Sequence, residues 1–185
     1  MSLRAPVTEM SKRLRSARSS GFTLVEVLVA LVVLSVGLLG MGKLVLVSAH
    51  SNDSAYLRSQ ATALGYAILD DMRANLTAAT AGTYVTASGV MPAVPGTSCV
   101  GIGTVCTPTQ QALWDVYSWK LHLNAANTLG GGLPAGTGSV AISATTPVTA
   151  TVTVTWDDAA AQCAFQSCTV GQQQLMTITL ETSLQ

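Results

Sequence analysis

The chain is poor in the residues and patterns that mark chemistry. It contains no G-x-S-x-G, no H-E-x-x-H, no phosphate-binding loop and no dinucleotide fingerprint. The enzyme classes those motifs mark are therefore not indicated, and neither an enzymatic activity nor a cofactor is expected. Its two histidines, His50 and His122, are far apart, and none of its four cysteines forms a C-x-x-C. That spacing argues against a zinc site, so no metal is expected. The only acidic pairs are Asp70-Asp71 and Asp157-Asp158. Adjacent residues on a helix point in different directions, so the first pair reads as a solvated face. The second reads as a turn at a strand end, because calcium needs more oxygen ligands than the sequence supplies nearby. No internal repeat of solenoid length is present.

What is present is a long apolar run near the N-terminus. After Gly21 come Phe22-Thr23-Leu24-Val25-Glu26, and apolar residues continue to Met41, interrupted by Ser35, Gly37 and Gly40. They resume after Lys43 with Leu44 to Val47. Residues 22–42 suffice to span a bilayer, which takes about 20 apolar residues. Lys43 would stand at the far interface with its stem snorkelling. Glu26 is the one carboxylate inside this run. A charge there costs roughly 2.5–3.5 kcal/mol on insertion scales, so its presence points to a function.

The segment before the run carries Arg4, Lys12, Arg13, Arg15 and Arg18 against Glu9. That excess predicts a cytoplasmic N-terminus and a translocated C-terminal part. An ordinary secretory signal places its small-residue cleavage site after the apolar core. Here Gly21 precedes it.

Basic leader, Gly21, Phe22-Thr23-Leu24-Val25-Glu26 and apolar helix together resemble a type IV prepilin. The resemblance implies that a membrane-embedded prepilin peptidase cuts between Gly21 and Phe22 and that Phe22 is then N-methylated. It also implies that Glu26 pairs with the N-terminal ammonium of a neighbouring subunit during assembly. The domains expected are a cleaved leader (1–21), a transmembrane and assembly helix (22–47) and an exported head (48–185) that includes the second half of the long helix.

Without residues 1–21 the chain keeps Lys43, Arg58, Arg73 and Lys120 against eight acids, a side-chain balance of −4. With no basic cluster, nucleic acid is not an expected partner.

No proline occurs between Val47 and Pro92, and Leu57, Ala61, Leu64, Ile68, Met72 and Leu76 form one apolar helical stripe. The first helix is therefore expected to run from Phe22 to about Leu76, roughly 80 Å at 1.5 Å per residue. Residues 82–107 are broken by glycine and proline, with a short strand possible over 83–86. Thr107, Pro108 and Gln110 supply a capping box with proline at the first helical position. The helix they open would bury Leu113, Val116, Tyr117 and Leu121, leave Trp114 and Trp119 off the centre of that face, and stop at Asn127-Thr128-Leu129 before three glycines.

Alternation predicts strands at about 139–143, 147–156 and 175–181, with Val148, Ala150, Val152, Val154 and Trp156 on one face of the second. The expected fold is α+β: a long N-terminal helix, membrane-spanning in its first half, packed on an antiparallel sheet with a second helix. Four cysteines allow three pairings. The two local ones, Cys99–Cys106 and Cys163–Cys168, are favoured because each closes a loop within one irregular region and an exported domain meets an oxidising compartment.

Further along, Arg73-Ala74-Asn75, the capped second helix with Trp119, and Val152-Thr153-Val154-Thr155-Trp156-Asp157 resemble the PilV-type minor pilins, also called type IV pilus modification proteins. Lys43 stands where major pilins usually carry proline, and two cysteine pairs replace their one. The resemblance implies a type IV pilin-like fold. It also implies a structural subunit that primes pilus assembly, sits in a tip complex and contributes to adhesion and twitching motility. Its partners would be other minor pilins, the major pilin, a tip adhesin and the inner-membrane assembly platform. Its location would be the inner membrane and then the pilus. The same leader serves type II secretion pseudopilins, the alternative reading. A pilus-borne DNA-uptake receptor is a third, which the acidic balance disfavours.

Overall fold

A computed structural model describes residues 21–101, 103–124, 132–143, 145–159 and 174–184. The order of elements is α1 (Leu24–Ala74), α2 (Leu76–Thr80), α3 (Pro108–Leu123), β1 (Thr137–Ile142), β2 (Thr149–Asp157) and β3 (Leu175–Ser183). The chain divides into two compact units, Met1–Gly42 and Lys43–Gln185.

In the first unit, α1 begins one turn after Gly21. Its apolar side chains are exposed all round, Leu39 at 76% and Val33 at 68%. The absence of proline and of internal charge beyond Glu26 lets the helix run through Gly37, Gly40 and Gly42 uninterrupted. A helix that is apolar on every side has no amphipathic face to pack in water.

The second unit is an α+β domain. β1, β2 and β3 form an antiparallel sheet in the order β1-β2-β3. The register sets Val140 opposite Val152 and Val154 opposite Ile178. On the inner face Ala150, Val152, Val154 and Trp156 are wholly buried, as the period-2 pattern predicts. Onto them packs the second half of α1, which buries Ala61, Gly65, Ile68, Leu69 and Met72. At Gly65 the approach is close: a Cβ would stand 2.7 Å from Leu180 Cδ1 and would oblige that side chain to shift. The long apolar stripe is therefore real, with Gly65 and Leu69 added to it, whereas Leu76 lies exposed beyond the helix break.

The break falls at Asn75 (φ −130°, ψ 57°). Its side chain donates to the Pro108 carbonyl at 2.7 Å, tying the end of α1 to the start of α3. α2 then closes on a Schellman pattern. Gly82 N–H donates to Ala79 O and Thr83 N–H to Ala78 O, both at 3.0 Å. Gly82, at φ +80°, supplies the left-handed residue this pattern needs.

α3 begins as its sequence dictates. Gln110 N–H donates to Thr107 Oγ1 at 3.3 Å, and Thr107 N–H donates to Gln110 Oε1 at 2.9 Å. Its buried face differs from expectation. Ala112, Val116, Trp119 and Leu123 point inward, while Leu113 is 47% exposed. The reason lies across the interface. At Gly138 of β1 a Cβ would stand 2.5 Å from the Trp119 ring, so the missing side chain makes the space that takes the indole. The helix ends at Leu123 with Asn124 as its cap, and the expected stop at Asn127 to Leu129 lies outside the described residues.

The possible strand over 83–86 is only a bridge between Thr86 and Val140. Asp158 is not an exposed turn residue either. It is buried and accepts a 2.7 Å bond from Ser54 Oγ of α1.

Candidate assembly segment and head-domain polar cluster

At the N-terminal end, Gly21, Phe22 and Thr23 precede the first helical residue, and Phe22 is 82% exposed. Thr23 caps the helix: its Oγ1 accepts from Glu26 N–H at 3.2 Å, and its carbonyl accepts from Val27 N–H at 3.2 Å. Thr23 and Glu26 thus stand at N-cap and N3, the spacing of a capping box. The carboxylate also lies in the first turn, where the helix dipole favours negative charge. This local role for Glu26 is written in the spacing T-x-x-E and stands beside the one its place in an apolar run suggests. Among the described residues no cation pairs with Glu26. The Gly21–Phe22 bond therefore sits on an accessible, non-helical stretch beside a helix start.

Past this start, Gly37, Gly40 and Gly42 have nothing within 4 Å of a built Cβ. α1 is the one helix among the described residues long and apolar enough to cross a membrane, with a mean hydropathy of 2.6 over its most apolar 18 residues.

In the head domain the polar groups hold elements together. Cys99 and Cys106 form a disulfide with Cα atoms 5.9 Å apart, stapling the loop between α2 and α3. Cys163 and Cys168 lie outside the described residues. Tyr84, wholly buried, donates to Asp115 Oδ2 at 2.7 Å, and Gln111 Nε2 donates to Asp115 Oδ1 at 2.6 Å. Burial first, then the bond to Asp115, push the Tyr84 phenol above the ordinary tyrosine range. Asp71 is pushed up to about 6, by desolvation and then by the carboxylates of Asp115 and Asp70. Its side chain is open to water on the outside, which screens the consequence for stability.

Lys120 is buried, and its ammonium donates to Ala87 O at 2.6 Å and Gly138 O at 2.5 Å. Burial lowers its pKa. Trp119 Nε1 donates to Leu64 O at 2.9 Å. Apart from Gln111 and Asp115, four positions apart on α3, these groups find their partners in backbone carbonyls or residues distant in the chain, so the local sequence does not mark them as polar anchors. Among the described residues no group of three or more His, Cys, Asp or Glu is placed to hold a metal. This cluster braces the fold.

A long N-terminal helix followed by a second helix and a three-stranded antiparallel sheet defines a pilin-like α+β architecture. Residues 16–42 match the prokaryotic N-terminal methylation motif, which spans the end of the basic N-terminal segment, Gly21 to Glu26 and the first part of α1. That match supports a type IV pilin-like or pseudopilin protein. A motif of this kind marks a structural subunit that assembles with other pilins and meets the prepilin peptidase, and it fits membrane anchoring through α1. No curated protein and no solved structure matches the chain.

Proposed function

We propose that the chain is a PilV-type minor pilin that primes type IV pilus assembly and takes its place in a tip complex with other minor pilins, the major pilin and an adhesin. The observation that carries this reading is the methylation motif joined to a helix whose apolar side chains are exposed on every side. Such a surface needs lipid first and other helices later. Residues 1–21 are the leader, on the cytoplasmic side of the inner membrane, and the head from residue 48 onward is periplasmic. Hydrolysis of the Gly21–Phe22 amide frees the α-amino group of Phe22, and methylation keeps it cationic. Glu26 of one subunit then pairs with that ammonium on a neighbour, which removes the cost of an isolated carboxylate in an apolar bundle. The resemblance of residues 73–75, Trp119 and 152–157 to minor pilins favours a pilus over a secretion pseudopilus.

Intact mass of protein extracted from membranes tests the processing. The expected species begins at methylated Phe22, and Gly21→Leu blocks its appearance. A species that keeps residues 1–21 in the wild type, or is cut beyond α1, overturns the reading. Deletion of the coding sequence separates the two fibre systems: loss of surface pili supports the pilus, and loss of protein secretion with pili intact supports the pseudopilus.

A further inference from the structure

The sheet has two edges, and the chain treats them differently. β1 is partly covered. Thr86 exchanges both backbone bonds with Val140, Thr86 N–H to Val140 O at 3.1 Å and the reverse at 3.0 Å. β3 is open. Bonds at its two ends, Leu184 N–H to Val148 O and Asp158 N–H to Gln174 O, show that even-numbered residues face β2 in hydrogen bonding. By alternation the N–H and C=O groups of Leu175, Thr177, Thr179, Glu181 and Ser183 point away from β2. Nothing among the described residues pairs with them.

Natural edges of this kind are blunted with lysine, proline, a bulge or brevity. β3 is nine residues long, pairs in continuous register and has neither lysine nor proline. Its inner row is unfinished as well. Met176, Ile178 and Leu180 are only partly buried, whereas their β2 neighbours Trp156, Val154 and Val152 are wholly buried.

We infer that the free edge of β3 accepts an extended strand from a partner polypeptide, by β-strand addition. The strand it fits has apolar side chains at alternate positions, to extend the Met176–Ile178–Leu180 row. Its other face is uncharged except for a lysine or arginine set against Glu181, the only charged side chain on β3.

A second copy of this chain fits poorly. Antiparallel β3–β3 pairing runs through a two-fold axis normal to the sheet, and that axis reverses the direction of the α1 segment lying on the sheet. Subunits of one fibre built from one membrane share a direction, so on the pilin reading that pairing is unavailable to two heads. Parallel two-fold pairing turns the apolar row of one copy toward the threonine face of the other. The first of these arguments rests on the pilin reading; the edge left unpaired by the described residues does not.

The test uses the full chain in detergent and an acetylated peptide alternating threonine and valine with one central lysine. Binding is expected to slow amide exchange at Thr177, Thr179 and Glu181 at least tenfold, beyond any change at the inward amides of Ile178 and Leu180. Thr179→Pro removes one outward donor and no bond to β2, so it weakens binding roughly tenfold while the inward amides stay slow. Thr179→Ser keeps the donor and keeps binding. Glu181→Lys weakens the lysine peptide and favours a peptide with glutamate in its place.

Unslowed outward amides, or equal binding by Thr179→Pro, overturn the inference. So does concentration-dependent protection of those amides in the protein alone, which assigns the edge to a second copy. Leader processing is read separately by mass, so a failure of the pilin reading leaves this experiment interpretable.

Discussion

Tyr84 and Asp115 show how much of the head rests on single buried groups. Tyr84 is wholly inside, and its hydroxyl is one of two side-chain donors to Asp115, with Gln111 the other. Tyr84→Phe leaves that carboxylate short of a partner, so it is expected to lower stability by about 1–3 kcal/mol in denaturant unfolding at neutral pH. The pH dependence has a definite sign. The folded-state phenol has its pKa raised, so the stability it contributes is full below about pH 10 and is lost as pH rises beyond that, where the unfolded chain ionises first. Wild type should therefore unfold more readily with rising alkalinity, and Tyr84→Phe should show a shallower dependence over the same range.

At the scale of elements, two local devices fix α3 and the loop before it. In the capping box the side-chain oxygens of Thr107 and Gln110 accept from each other's backbone N–H at the start of α3. Thr107→Ala is expected to cost about 0.5–2 kcal/mol in thermal or denaturant unfolding. The Cys99–Cys106 disulfide closes a short loop at a sequence separation of 7, which limits its effect on the unfolded chain. Replacing both cysteines by serine should cost about 2–3 kcal/mol by the loop-entropy relation, measured on oxidised wild type against the double variant. Reducing agent should lower wild-type stability and leave the contribution of this loop in the variant unchanged.

At the scale of the whole molecule, the two units answer to different solvents. The head buries an apolar core of its own, while the first part of α1 exposes Leu, Val and Met side chains in bulk. Glu26 belongs to the second problem. Glu26→Ala removes an N3 carboxylate from the first turn of α1, a local loss of about 0.3–1 kcal/mol, and touches nothing in the head. Leader cleavage and the head's melting temperature are expected to stay at wild-type values. Entry into pili should fall when the mutant copy is the only one, read by pilus yield and by co-isolation with partner pilins. Unchanged incorporation would show that the ion pair has no part in assembly.

Much was legible in the chain itself, because the signals are local. Gly21 to Glu26 beside a basic leader, the apolar run, the Thr107-Pro108-Gln110 start and the alternation of Val152, Val154 and Trp156 each depend on residues within a few positions of one another. Periodicity placed the stripe on α1 and the inner face of β2 for the same reason: each follows from backbone geometry. The structure alone decided what depends on a partner far along the chain. Trp119 rather than Leu113 faces inward because Gly138 leaves room for the ring. Asp158 is buried because Ser54 reaches it across 104 positions. Lys120 is tolerated inside because Ala87 and Gly138 turn carbonyls toward it, and β3 keeps a free edge because no described element covers it. Shape complementarity and hydrogen-bond satisfaction between distant segments come into being only when the chain has folded, and no pattern of neighbouring residues encodes them singly.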